Sequence, residues 1–269
     1  MVYEVDGDTR NAPVALNYRV LGEQGDWVLL LHGLFGSGDN LGALAKSLMA
    51  DFRTVQVDLR NHGRSPHCES MNFAAMAADI ALLQDTLGIS SSHVVGHSLG
   101  GRVAMQLALS QPSRVQRLVI ADIAPVQYPP HHVNILNALR SLKFDGVVNR
   151  AEVEAQLLPS IADLGTRQFL LKSLYKDGDD WRWRFNLPVL EASYPSITQA
   201  QQGKPFTKPT LFIKGGASAY IQPQHEEAMR ALFPNFALKT IAGAGHWLHG
   251  EKPAEFNALV REFLTAEFN

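Results

Sequence analysis

The chain has 269 residues, one cysteine and a formal net charge of −2, with 46% hydrophobic and 19% charged residues. That length is enough to bury a full core in one large domain or two small ones. The near-neutral balance, with no basic run, argues against nucleic acid as the main partner, and Cys68 alone closes no internal disulfide and suits a reducing cytosol. Met1-Val2-Tyr3-Glu4-Val5-Asp6 carries acids where a secretory leader has basic and then apolar residues. No apolar run approaches the roughly 18 residues of a spanning helix, so the expectation is a cytoplasmic protein without a membrane span.

Taken in chain order, Val14 to Val20, Trp27 to Leu31 and Arg53 to Val57 read as the first strands. Trp27-Val28-Leu29-Leu30-Leu31 is continuously apolar, as expected of a strand buried on both faces, and it runs straight into His32-Gly33-Leu34-Phe35-Gly36. Phe73, Met76, Ile80, Leu83 and Leu87 then recur at helical spacing, with Gly88 as a stop. His93 to Gly96 is the next strand, and Arg102 to Leu109 a helix ended by Pro112. Between them lies Gly96-His97-Ser98-Leu99-Gly100. A Gly-x-Ser-x-Gly run between a strand and a helix is a nucleophile elbow. Its serine is held in a strained conformation above the sheet, and the positions two before and two after it must be nearly free of side chain. The plainer alternative is a glycine-rich turn whose serine caps the helix.

Leu118 to Asp122 reads as a further strand, followed by Ile123-Ala124-Pro125. From Val126 to Lys208 the pattern is helical, with little strand signal beyond Trp181-Arg182-Trp183-Arg184-Phe185. This stretch reads as a cap (126–208) inserted into a core made of 1–125 and 209–269. Trp181, Trp183, Phe185 and Tyr194 are expected to pack a small core of the cap itself, the alternative being the lining of an acyl pocket. Arg140, Lys143, Arg150, Lys172 and Lys176 fit solvated helix faces as well as they fit a phosphate. The His131-His132 pair lacks metal-ligand spacing and reads as solvated. Thr210 to Lys214 and Phe236 to Ile241 complete the strands, and a last helix opens at Pro253. The βα alternation predicts an α/β fold, a mostly parallel sheet with helices on both faces.

A nucleophilic serine needs a base and an acid. Of ten histidines, only His246 follows the last strand, in Gly243-Ala244-Gly245-His246-Trp247, where the order serine, acid, histidine puts the base. His32 and His97 are expected to make structural hydrogen bonds, and His62 lies in the Arg60-Asn61-His62-Gly63 turn. No carboxylate follows Thr210 to Lys214 until Glu226, which looks helical. One strand earlier stands Asp122. Adjacent strands lie about 4.8 Å apart, so this carboxylate can reach a histidine over the neighbouring strand. The alternative is an aspartate that caps the following segment, with Ser218 or a water orienting His246.

The order of these motifs resembles the α/β-hydrolase superfamily. It runs from a histidine-glycine turn through Asp58-Leu59-Arg60-Asn61-His62-Gly63-Arg64-Ser65 and Gly96-His97-Ser98-Leu99-Gly100-Gly101 to Gly243-Ala244-Gly245-His246. With Asp39-Asn40-Leu41, Ala121-Asp122-Ile123-Ala124-Pro125 and Arg184-Phe185-Asn186-Leu187-Pro188, the likeness narrows to small bacterial esterases and covers essentially the whole chain. The resemblance implies a serine hydrolase of carboxylic esters or thioesters, acyl-CoA among them, with Ser98, Asp122 and His246 catalytic. It also implies an oxyanion hole from the amides of Leu34 and Leu99, with Phe35 as the alternative to Leu34. It calls for a small-molecule acyl substrate and no metal or organic cofactor. Other chemistries of the same frame stay open, namely C–C hydrolysis, a lyase or a perhydrolase, as does a non-catalytic ligand-binding protein.

Overall fold

The structure is a computed structural model and describes residues 12–267. The acidic segment Met1 to Asp6 lies outside them. The first half of the chain forms β1 (Tyr18–Leu21), β2 (Trp27–Leu31), α1 (Gly42–Leu48), β3 (Arg53–Val57), α2 (Phe73–Thr86), β4 (Ser92–His97), α3 (Leu99–Ser110) and β5 (Val115–Ala121). The chain then leaves the βα alternation for α4 (Val133–Ser141), α5 (Arg150–Leu157), α6 (Leu164–Leu171), a hairpin of β6 (Leu174–Asp177) and β7 (Asp180–Trp183), and α7 (Leu187–Ile197). It returns with β8 (Thr210–Gly215), α8 (Glu226–Leu232), β9 (Phe236–Ile241), α9 (Leu248–Glu251) and α10 (Pro253–Thr265).

Seven strands form one sheet in the order β1-β3-β2-β4-β5-β8-β9, with only the edge strand β1 antiparallel to its neighbour. The apolar run of β2 and the Leu118–Ala121 stretch of β5 follow from burial on both faces. Side chains alternate across a strand, so Leu29, Leu31, Val94, Leu118 and Ile120 face one side of the sheet. Val28, Leu30, Val95, Val119 and Ala121 face the other. Met76 and Ile80 of α2 and Val103 and Leu107 of α3 cover the first side. Leu44 and Leu48 of α1 and Phe256 and Val260 of α10 cover the second. This arrangement is the three-layer α/β architecture that the alternation predicts.

Three local readings change. The strand expected over Val14 to Val20 is shortened to Tyr18–Leu21 because the preceding backbone bonds to side chains instead of a ladder. The Val14 N–H donates to Asp79 Oδ1 (2.7 Å) and the Asn17 N–H to Ser65 Oγ (2.8 Å). Helix α3 starts at Leu99 rather than Arg102. The strand signal around Trp181 is half of a hairpin, whose partner β6 pairs Asp177 with Asp180 across Gly178 and Asp179. Gly178 takes φ +64°, the conformation that two-residue hairpin loops require.

The segment between β5 and β8 packs partly on itself, Trp183 stacking on Phe185 and meeting Phe144 edge-on, and partly on the layers below. Leu136, Leu139, Leu170, Phe185, Leu190 and Ile197 join the same apolar cluster as α2 and α3. The Phe185 ring meets Phe35 of the turn after β2 edge-on, with centroids 5.2 Å apart. The register sets Gly96 beside Leu31 and Ile120, and Ala121 beside His97 and Ile213. The carboxyl ends of β2, β4, β5 and β8 therefore share one edge of the sheet, beneath this segment. In open α/β sheets that edge is where ligands bind.

Candidate active site

Ser98 stands between β4 and α3 with φ 52° and ψ −115°. A non-glycine residue in that region is strained and persists only where its surroundings dictate it. The geometry of the turn leaves no room for side chains at two positions. A Cβ on Gly96 would lie 2.3 Å from the Gly100 carbonyl oxygen, and one on Gly100 would lie 2.2 Å from that of Leu31. Asp122, at the end of the adjacent strand, also takes a positive φ, 51°, uncommon for a residue with a side chain. Each of the two residues is tied to the next strand. The Ser98 N–H donates to the Ala121 carbonyl (3.0 Å) and the Asp122 N–H to that of Ile213 (2.8 Å).

The structure brings Ser98, His246 and Asp122 into one hydrogen-bonded chain. His246 Nε2 lies 3.0 Å from Ser98 Oγ, and His246 Nδ1 lies 2.7 Å from Asp122 Oδ2. An ionised carboxylate only accepts, so Nδ1 carries the proton and the Nε2 lone pair faces the serine hydroxyl. Asp122 is fully buried and its charge is met by further donors. Gly215 N–H donates to Oδ1 (2.9 Å), and the Ser218 hydroxyl donates to Oδ2. Ser218 thus contacts the aspartate, not the imidazole. Glu226 pairs with Arg230 on the surface of α8. The His246 carbonyl accepts from His97 Nε2–H (2.8 Å), and the Tyr220 ring stacks on the imidazole at 4.0 Å. Burial, with His249 and His246 beside it, holds His97 well below the usual histidine range, so it is a neutral strut.

The turn after β2 is built by two other buried histidines. His32 Nδ1–H donates to the Gly33 carbonyl (2.8 Å), while its Nε2 accepts the Leu59 N–H (3.0 Å). His62 Nδ1–H donates to the Arg60 carbonyl, while its Nε2 accepts the Phe35 N–H at 3.2 Å. Both rings must be neutral to accept. Burial lowers both, His62 to about 3. The Phe35 amide is therefore already engaged. Leu34 and Leu99 line the cavity beside Ser98, and among the described residues no acceptor takes up either amide.

This small cavity, about 40 Å³, is bounded by Leu34, Ser98, Leu99 and Ile123 below and by His132, Tyr194 and Ile197 from the segment above. Two of these were read otherwise from the sequence. His132, expected in solvent, lies against the site, and Tyr194, expected in a core of the cap, lines the cavity. Only His131 of the pair is exposed. Tyr220 and Tyr128 carried no sequence signal at all. The Tyr128 hydroxyl accepts the Ala124 N–H (2.9 Å) and donates to the Tyr220 carbonyl (2.5 Å), joining the strand carrying Asp122 to the residue stacked on His246. Arg102, one turn after Ser98, donates to the carbonyls of Val126 and Gln199, where the chain leaves and rejoins the core. Among the described residues no group of three or more His, Cys, Asp or Glu side chains is placed to hold a metal ion.

An elbow serine on a mostly parallel sheet, linked through a histidine to a buried carboxylate, defines an α/β hydrolase. The pattern of the alpha/beta hydrolase fold family matches residues 26–253, and the chain belongs to that family. It is 41% identical to Esterase YbfF of Escherichia coli (strain K12), over 88% of this chain and 92% of that protein. It is 40% identical to the sn-1-specific diacylglycerol lipase ABHD11 of Mus musculus, over 94% of this chain and 86% of the relative. A solved structure titled marine microorganism esterase matches with a TM-score of 0.91 and 37% identity, over 93% of this chain and 99% of that chain.

Proposed function

We propose that this hydrolase cleaves carboxylic esters or thioesters through an acyl-enzyme on Ser98. The observation that carries the reading is the unbroken chain from Ser98 Oγ to His246 Nε2 (3.0 Å) and from His246 Nδ1 to Asp122 Oδ2 (2.7 Å). As Oγ attacks the acyl carbonyl, His246 Nε2 takes its proton. The amides of Leu34 and Leu99 hold the oxyanion of the tetrahedral intermediate. Asp122 keeps the imidazole in the required tautomer and stabilises the imidazolium. His246 then protonates the departing alcohol or thiol, and water, activated by the same nitrogen, cleaves the acyl-enzyme. Nothing in these steps requires a metal or organic cofactor.

Residues 126–208 act as the cap, and 1–125 with 209–269 as the core. The apolar walls of the cavity, Leu34, Ile123 and Ile197 among them, suit the carbon chain of an acyl group. The esterase and lipase names of the relatives support ester hydrolysis. Among the described residues no helix is long and apolar enough to cross a membrane. The single cysteine supports a reducing cytoplasmic location, which cell fractionation tests.

The decisive experiment pairs a fluorophosphonate probe with hydrolysis of p-nitrophenyl esters and acyl thioesters. Wild-type protein is expected to label at Ser98 and to turn over at least one of these substrate classes. Ser98→Ala is expected to lose labelling and about 10⁶ in kcat. If Ser98→Ala retained a tenth of wild-type turnover, the serine would not be the nucleophile.

A further inference from the structure

His132 immediately precedes α4 and lines the cavity that holds Ser98. Its surroundings define which of its nitrogens is a donor. The His132 backbone N–H donates to Tyr194 Oη (3.0 Å), so the tyrosine hydroxyl directs its own proton to His132 Nδ1, 2.8 Å away. With Nδ1 accepting, a neutral ring carries its proton on Nε2. Burial, with His246 and His131 nearby, lowers this histidine to about 4, so it is neutral where esterases are assayed. The Nε2–H has no acceptor among the described residues. A half-buried donor is thus held ready in a cavity with apolar walls.

We propose that His132 is a specificity-determining donor. Its Nε2–H, aimed by Tyr194, binds an oxygen on the substrate outside the ester being cleaved. The site then favours esters carrying a hydroxyl, an ether or a second carbonyl close to the scissile group. The proposal rests on the Ser98 esterase reading and deepens it. Ser98 and His246 already account for every proton that moves, and the two amides for the oxyanion, so this donor has no task at the reacting carbonyl. A donor that goes unmet when substrate excludes water disfavours the plain analogue.

Two pairs of substrates matched in shape test this. p-Nitrophenyl methoxyacetate against p-nitrophenyl butyrate places the extra oxygen in the acyl part, and 2-methoxyethyl butyrate against butyl butyrate places it in the alcohol part. Intrinsic reactivity differs within each pair but cancels when the selectivity ratio of wild type is divided by that of a variant. His132→Phe is expected to lower the ratio of kcat/KM values about tenfold for one of the two pairs, the size of one neutral hydrogen bond. His132→Gln, which keeps an N–H donor, is expected to restore part of it. Tyr194→Phe removes one oxygen atom and is expected to shift the same ratio in the same direction, so it carries the test if His132→Phe does not fold. Unchanged ratios for both pairs, or an equal fall in all four rates, would overturn the proposal. Fluorophosphonate labelling of Ser98 in each variant reports the esterase reading separately.

Discussion

At the scale of single residues, the buried carboxylate beside His246 is the most discriminating position. Asp122 Oδ2 meets both His246 Nδ1 (2.7 Å) and the Ser218 hydroxyl. In Asp122→Asn one oxygen becomes an amide that donates, which favours the imidazole tautomer with its proton on Nε2, turned against Ser98. The corresponding change in a serine protease lowers kcat by about 10⁴, and a loss of about 10² to 10⁴ is expected here with the fold retained. Ser218→Ala removes a donor from the aspartate but leaves the imidazole contact, so a loss of about tenfold or less is expected. Glu226→Gln, on the surface of α8, should match wild type. Steady-state kinetics of the three purified variants separates these outcomes. A large loss in Glu226→Gln with none in Asp122→Asn would move the acid to the strand after the cap.

At the scale of elements, the strand-turn-helix unit around Ser98 depends on main chain approaching main chain. A Cβ at Gly100 would stand 2.2 Å from the Leu31 oxygen, which belongs to β2 and has no side-chain freedom to yield. Gly100→Ala should therefore push α3 away from β2 and lower stability by about 1–3 kcal/mol or more, the usual effect of overpacking. Gly88, just after α2, has φ +66°, but a Cβ added there would meet nothing within 4 Å. Gly88→Ala should cost only the backbone preference, about 1–2 kcal/mol. Urea midpoints measure both, and activity per folded molecule should fall only for Gly100→Ala. Equal effects on both readouts would mean that the elbow tolerates a side chain. The segment above the site follows a different rule. Arg102 grips its two ends through the Val126 and Gln199 carbonyls, and Phe185 and Tyr194 turn toward the core. Apolar residues in a helical pattern do not say which neighbour they will bury against.

At the scale of the whole molecule, an unusual number of histidines are held neutral. Burial lowers His32, His62, His93, His97, His132 and His249, with His62 at about 3 and His93, His132 and His249 at about 4. In the unfolded chain these rings titrate near 6.5. Between about 6.5 and 4 the unfolded state therefore binds more protons than the folded state, and stability falls as pH falls. Above about pH 7 both states are neutral and the contribution is complete. His93 is 4% exposed, and moving such a ring from 6.5 to about 4 corresponds to on the order of 3 kcal/mol. Asp79, whose pKa burial raises, opposes this trend with a single group. Melting temperatures are expected to be level from pH 8 to 7 and to drop steeply from pH 6.5 to 5. A flat profile down to pH 5 would mean that these imidazoles take up protons as readily folded as unfolded.

Local sequence alone determined the elbow, the doubly buried strands and the place of His246 after the last of them. Each depends on neighbours within a few residues: two glycines around Ser98, the apolar run from Trp27 to Leu31, the loop after Ile241. It also left Asp122 as the candidate acid, because no carboxylate stands after β8 until Glu226. The hairpin partner of Trp181 was legible in principle from Gly178 and Asp179, a loop of the two-residue kind. Tertiary structure alone decided the rest, because the partners are far apart along the chain. His246 and Asp122 are separated by 124 positions, and Ser218 and Asp122 by 96. Which amide of the early turn stays free follows from His62 Nε2 accepting the Phe35 N–H across 27 positions. His132 and Tyr194, 62 positions apart, read separately as a solvated ring and a core ring. They become a polar pair in the cavity only when α4 and α7 fold over the ends of the central strands. Short-range sterics write themselves into adjacent residues, whereas the direction of a hydrogen bond between distant elements exists only once the layers are packed.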